Sequence, residues 1–333
     1  MPVYAPTTRL GLTGDVMLGR LVDEHVLADP RCNPADLWGN ALDLFASVEA
    51  RLINLECVIA ASGRRDPEKT FAFRARPRAI ETLLAAHVDF AGLANNHVLD
   101  YGPDALLECL GHLRTAGIAH AGAGRDLAEA SAPAVIAAGT SRLAVLALTD
   151  NEPGWEAGDR RPGVQVVRYD AHGLRPPYRE RIAAAITRAR EIADLVIVCA
   201  HVGPNWGLPS PEVQVLAHQL LDWGADVYWG HSNHSVQGIE FYGGKAILYS
   251  TGDFLDDYAV DPDERNDLSF FFEAQARGRT VATVRLHPVR IDGLRVHRAP
   301  AEDARWLARR MAVLSAPFGT RVGEDGEAIV ATA

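Results

Sequence analysis

LVIVCAHVGPNWGLPSPEVQVLAHQLLDWGADVYWGHSNHS, residues 195–235, carries the pattern by which the rest of the chain is read. Leu195–Ala200 is a short apolar run that ends on His201, and Ala225–Trp229 is a second that leads into Gly230 and His231. Runs of this length without polar alternation suit strands buried on both faces, as in the middle of a parallel or mixed sheet. Between them, Ser210 and Pro211 mark a helix start, a capping hydroxyl followed by a residue whose fixed φ suits the first turn. Val213, Leu216 and Leu220 then recur at helical spacing.

The same pattern repeats outward in both directions. Leu10–Thr13 leads into Gly14-Asp15, Arg51–Ile53 into Asn54-Leu55-Glu56, and Val88–Leu93 into Asn95-Asn96-His97. Ser141–Leu148 leads into Thr149-Asp150, and Ala246–Tyr249 into Gly252-Asp253. Amphipathic stretches separate these runs, such as Pro177–Ala193 with Ile182, Ile186, Ala189 and Ala193 on one face. Toward the end, Arg279–Leu286 and Val289–Arg298, joined through Pro288 and turned at Asp292-Gly293, read as antiparallel strands before a helix around Ala301–Leu314. With no linker, repeat or low-complexity tract, the expectation is one α/β domain over residues 1–333, with a C-terminal hairpin and helix at about 279–316.

Composition narrows the class. A chain of 333 residues, 48% hydrophobic, can bury a large core. Its net charge of -10 and scattered arginines argue against a nucleic-acid surface, which needs clustered cations to neutralise phosphates. Cys32, Cys57, Cys109 and Cys199 show no CxxC spacing and read as free thiols. MPVYAPTTRLGLTGD has no charged leader followed by an apolar stretch, so a cytoplasmic protein without a membrane anchor is expected.

In open α/β sheets, ligands gather outside the carboxyl ends of strands, and that is where the polar residues fall. Of twelve histidines, His97, His201, His231 and His234 follow apolar runs, and Asp15 and Glu56 hold equivalent positions. His25, His87, His112, His120, His172, His218, His287 and His297 are assigned structural places. Carboxylate, amide oxygen and imidazole together suit a borderline or hard divalent cation, with Ca, Mn, Mg and Zn all compatible. The HxxH of His231 and His234 lies on a loop, because Gly230 and Ser232-Asn233 break any helix there.

The ordered set GDVMLGR (14–20), NLE (54–56), FRARP (73–77), LANNHVLDYG (93–102), GAGRDLAEA (122–130), HVGPNWG (201–207), GHSNHSVQGIE (230–240) and ILYSTGDF (247–254) resembles the CapA family of poly-γ-glutamate capsule synthesis proteins, from about Gly11 to about Asp257. That family belongs to the calcineurin-like metallophosphatase superfamily, so the resemblance implies two packed mixed sheets flanked by helices, a four-layer sandwich. It puts Asn96 in a metal-ligand role and His97 in an acid–base role and matches His201, His231 and His234 to the superfamily's histidine motifs; metal ligation is expected of Asp15, Glu56, Asn96 and His231, and acid–base work of His97, His201 and His234. Met17 stands where the superfamily motif GDxH has a histidine, and Asn54-Leu55-Glu56 replaces GDxxD; one firmly held metal is therefore expected.

Three functions follow from the resemblance. The leading expectation is a metal-dependent epimerase of the kind related to lasso-peptide maturation, inverting the Cα of the C-terminal residue of a ribosomal peptide precursor. Inversion needs a base on one face and an acid on the other. Asp100 is expected to orient His97, and Asp253 or Asp256 to orient His201 or His234. The alternatives are phosphoester hydrolysis and non-catalytic binding of a polyglutamate or peptide. Lys69, Arg74 and Arg76 are expected to hold a substrate carboxylate, and Trp206 to line a side-chain pocket.

Overall fold

The computed structural model describes residues 7–326 and 328–333. Two sheets dominate it. The larger, of ten strands, runs Arg321–Asp325, Ala328–Thr332, Thr280–Asp292, Leu268–Arg277, Thr7–Val16, Ala50–Leu55, Phe90–Gly92, Ala119–Ala121, with Asp253–Leu255 beside Thr7–Val16 and Arg295–Arg298 beside Thr280–Asp292. Its N-terminal half is parallel; its C-terminal half is antiparallel. The second sheet, of six strands, runs Ile239–Tyr242, Lys245–Leu248, Val227–His231, Leu195–His201, Ser141–Thr149, Ala134–Ala138, with antiparallel strands only at its edges.

The buried residues explain why these strands read as unbroken apolar runs. Leu12, Leu52 and Phe90 of the larger sheet face Val145, Ile197 and Trp229 of the smaller one across a shared interior. Their chain neighbours point the other way. Ile53, Ala91 and Leu93 pack with Leu106, Cys109 and Leu110 of helix Gly102–Thr115, while Leu146, Val196 and Val198 pack with Ile182 and Ile186 of Tyr178–Ile192 and with Leu216 and Leu220 of Pro211–Asp222. The layers are thus helix, sheet, sheet, helix, the expected sandwich. Ser210 caps its helix as anticipated, accepting the Val213 N–H at 3.3 Å.

The C-terminal reading needs correction. Pro288 does not separate two strands: Thr280–Asp292 is continuous, with Pro288 opposite Phe270, and the reversal comes at Gly293 before Arg295–Arg298. Helix Ala301–Ser315 follows as expected. Two further elements, Leu268–Arg277 and the hairpin of Arg321–Asp325 with Ala328–Thr332, complete the larger sheet and were not anticipated. No helix among the described residues is long and apolar enough to cross a membrane.

The sheets are fastened to one another near the strand ends. The Trp229 indole N–H donates to the Thr13 carbonyl at 2.9 Å, and the Thr251 hydroxyl lies 3.1 Å from both the Thr13 and Gly230 carbonyls. Beside this contact, neighbouring strand ends of the smaller sheet come so close that position 230 requires glycine, where a Cβ would sit 2.0 Å from the Tyr249 carbonyl oxygen. Gly230→Ala is therefore expected to destabilise the protein by about 2 kcal/mol or more through forced backbone displacement, measurable as a lowered urea midpoint against wild type.

Candidate metal and acid–base site

Register brings the polar residues level. Asp15 pairs laterally with Asn54 on one neighbouring strand and with Asp253 on the other, while His201 and His231 are level on adjacent strands of the smaller sheet. Because Asp15, Asn54, His201 and His231 sit at the carboxyl ends of their strands and Asp253 opens its own, the two sheets present their polar ends to one another. Asp15 Oδ1 accepts from Asn54 Nδ2 at 2.7 Å and lies 2.7 Å from His231 Nδ1. Asn54 Nδ2 is also 3.1 Å from His201 Nδ1, and His201 Nε2 is 3.7 Å from Glu56 Oε1. That last separation exceeds a hydrogen bond but is of the size that two ligands of one ion adopt.

Two groupings of possible ligands result, Asp15 with Glu56 and His201, and Asp15 with His234 and Asp253; within each, the ligand atoms lie within 4.8 Å of one another. Asp15, Glu56, His201, His231 and Asp253 are all at most 1% exposed. Burying this many carboxylates without a cation is costly, and several of their atoms have no protein partner: Asp15 Oδ2, Asp253 Oδ2, His231 Nε2 and, from the neighbouring loop, Asn96 Oδ1. The donor set therefore fits a divalent cation.

The electrostatics agree. Burial and the nearby Asp15 push the Glu56 carboxyl well above its usual range. Burial would raise Asp15 too, but His231, His201 and Asn54 hold it below the usual carboxylate range. Burial takes His201 down to about 3, so its ring is neutral near pH 7 and has a lone pair to give.

Above this layer lies a cleft of about 520 Å³ whose lining includes His97, His234, Asn96, Lys69, Phe73, Trp206 and Tyr258. His97 Nδ1 is 2.6 Å from Asp100 Oδ2, which also accepts the Phe73 N–H at 2.7 Å, and the His97 ring stacks on Phe73 at 3.9 Å. His234 Nδ1 is 2.9 Å from Asp253 Oδ1. Burial lowers His97 despite Asp100. For His234, Asp253, Glu56 and Asp15 outweigh burial and raise it to about 10.

Most of the expected residues thus come together. Asp100 pairs with His97 as anticipated, and of the possible pairings the structure forms Asp253 with His234. His201 lies beside Glu56 and Asp15, and His231 meets Asp15 through Nδ1 while its Nε2 has no partner among the described residues. Asp256 pairs with no histidine, and one of its oxygens accepts the Tyr258 N–H. Lys69 reaches the cleft but is held by the Asn96 carbonyl at 2.7 Å and Glu152 at 2.9 Å. Arg74 and Arg76 do not reach it: Arg76 is bound to Asp23 at 2.9 Å and Arg74 lies over the Tyr101 ring at 4.2 Å, both in a neighbouring cleft.

Sequence reasoning missed Asn54, which ties Asp15 to His201, and Tyr258, whose hydroxyl donates to Glu56 Oε2 at 3.0 Å and whose ring lies 5.2 Å from His234. Asn54 stood in a quoted motif. Tyr258 offered no signal beyond following Asp253 by five residues.

This fold, with carboxylates and imidazoles at facing strand ends, defines a metal-site α/β protein. Residues 9–258 match the family model described as bacterial capsule synthesis protein PGA_cap, and the chain belongs to that family. It is 33% identical to a probable polyglutamine synthesis accessory protein of Mycobacterium tuberculosis, covering 93% of this chain and 92% of that one. It is also 28% identical to the PGA biosynthesis protein CapA of Bacillus subtilis, over 73% of this chain and 62% of that one. Among solved structures, a putative 5'-nucleotidase from Staphylococcus aureus is similar at 16% identity and a TM-score of 0.46, covering 88% of this chain and 53% of that chain.

Asp15→Ala and Asn96→Ala are expected to lower affinity for a divalent cation by about 10-fold or more, whereas His97→Gln should leave it largely intact. Elemental analysis after dialysis against equal cation concentrations checks this; equal loss in all three variants would contradict the assignment.

Proposed function

We propose that this protein is a metal-assisted acid–base enzyme acting on a peptide or amide polymer, and that its reaction is inversion of a substrate Cα. The observation that supports this is the pair of His–Asp dyads, His97 with Asp100 and His234 with Asp253, that meet at one cleft, with the two histidines following strands of different sheets. A carbon held between them has a proton acceptor on one side and a proton donor on the other. In one direction His97 Nε2 takes the Cα hydrogen while Asp100 holds Nδ1–H, and His234 returns a proton from the far side; in the other direction the roles reverse. A divalent cation held by Asp15, Glu56 and His201 with Asn96 nearby would supply positive charge against the negative charge that develops on the carboxylate. Tyr258, bonded to Glu56, lines the same cleft and links it to the ligand layer. Peptide chemistry is in keeping with the relative named as a polyglutamine synthesis accessory protein. Free thiols at Cys32, Cys57, Cys109 and Cys199 accord with a cytoplasmic setting.

Phosphoester hydrolysis is the second reading, and one observation favours it: Asp15 is common to both ligand groupings, as a residue bridging two ions would be. Against it, Met17 replaces the motif histidine and is buried, its sulfur accepting the Gly19 N–H at 3.0 Å. The readings compete for His234, which cannot bind a second ion and shuttle protons at once.

In heavy water, wild-type protein should incorporate deuterium at the Cα of a C-terminal residue in both epimers. His97→Gln and His234→Gln should each lose inversion by about 10²-fold or more while retaining exchange into one epimer only. Phosphate release from an aryl phosphate, with no deuterium uptake across a panel of free peptides, would overturn the epimerase reading in favour of the hydrolase.

A further inference from the structure

Arg20 closes the motif GDVMLGR yet has no part in the site so far described. Its backbone lies at φ +50°, in the left-handed region that side chains other than glycine's seldom occupy. The following residues bind Asp257, with the Leu21 N–H donating to Asp257 Oδ2 at 2.9 Å, and the same oxygen is 3.3 Å from Arg20 Nε. The side chain is thereby laid across the cleft wall, its guanidinium 5.8 Å from the Phe71 ring centroid and 5.6 Å from that of Phe73. Phe73 is the ring that stacks on His97, so one aromatic ring lies between this cation and the proposed proton acceptor.

Only Nε is engaged. Among the described residues, no group accepts a hydrogen bond from the outer guanidinium nitrogens, and the side chain is 34% exposed. Arg20 lines both the cleft with His97 and His234 and the neighbouring one with Arg74 and Arg76. A strained backbone that holds a half-paired guanidinium against two aromatic faces, at the junction of two clefts, is arranged for a planar anion arriving from solvent.

We infer that Arg20 selects an acidic residue immediately before the reacting one, holding its side-chain carboxylate through the two outer nitrogens. This rests on the cleft being a peptide site. Arg20 and His97 line one cleft and both lie against Phe73, so adjoining residues of one bound chain can reach the two. Lys69 does not compete for the role, being occupied by Glu152 and the Asn96 carbonyl.

The test uses acetyl-Ala-Ala-Glu-Aib and acetyl-Ala-Ala-Gln-Aib with free carboxyl termini, where Aib is α-aminoisobutyrate, which has no Cα hydrogen and cannot react. Calorimetric titration of the metal-loaded wild-type chain should show the Glu peptide binding about 10-fold tighter than the Gln peptide, the margin shrinking as salt is raised. In Arg20→Gln the preference should fall below about 2-fold, and Arg20→Lys should keep part of it, since an ammonium restores charge but not the fork. Arg20→Gly, to which a φ of +50° is open, should lose the preference while unfolding at a temperature no lower than wild type. A wild-type protein that binds both peptides equally or neither, or glutamine and glycine variants that keep the full preference, would overturn the inference. Because these ligands cannot exchange, that outcome is separate from the deuterium experiment: uptake with an unchanged preference sinks only the role of Arg20, and a lost preference without uptake sinks only the epimerase reading.

Discussion

Asp15 of the larger sheet touches His231 of the smaller one at 2.7 Å, and the surrounding architecture serves to keep that carboxylate charged in an interior that disfavours charge. Asn54 donates from the adjacent strand, His201 stands beyond it, and Trp229 clamps the two sheets at Thr13, two residues before Asp15. Without glycine at 230 and at 14, where a Cβ would meet the Gly252 carbonyl oxygen at 2.2 Å, the strand ends could not approach so closely. The second oxygen of Asp15 has no protein partner, and the same is true of one oxygen of Asp253. Fold and site are therefore one problem: the packing that shuts water out also concentrates negative potential where a cation is wanted.

Much of this was legible because a parallel strand announces its own end. An apolar run followed by a polar residue gave the level of Asp15, Glu56, Asn96, His97, His201 and His231 along the chain, and HxxH added His234. What a strand end does not announce is the partner across the gap. Whether Asp253 meets His201 or His234 depends on the packing of two sheets, and the sequence carries no local trace of that. His231 and His201 are level partners on adjacent parallel strands and so share one face of the sheet, which strand ends alone do not order into distinct roles. Arg74 and Arg76 were misjudged because their short strand, Arg74–Ala75, is paired to Val58–Ile59 and turns their side chains toward Asp23 and Tyr101.

The late strands were harder for a different reason. Leu268–Arg277 pairs with Thr7–Val16, more than 250 residues earlier in the numbering, so neither a tight turn nor a helix crossover flags it. Its core, Phe270-Phe271-Phe272, sends alternate rings to different hydrophobic layers, Phe271 to the helical side and its neighbours to the interior between the sheets. Pro288 suggested a break, but the long strand carries a proline where its carbonyl accepts from Ala299 and no donor is missed.

One consequence follows from hanging His97 and His234 after strands of separate sheets. Their spacing is a gauge of the interior layer, since faces packed about 10 Å apart are held at that distance by the side chains between them. Leu12, Leu52, Val145 and Ile197 lie in that interior layer and outside the cleft lining, yet their combined bulk helps set how far apart the two sheets stand. Thinning that layer by a methyl group or two would draw the sheets together, and thickening it would spread them and strain the contacts that cross between them, Asp15 with His231 and Asp253 with His234. Selection on the size of the molecule held there could thus act through residues that never meet it.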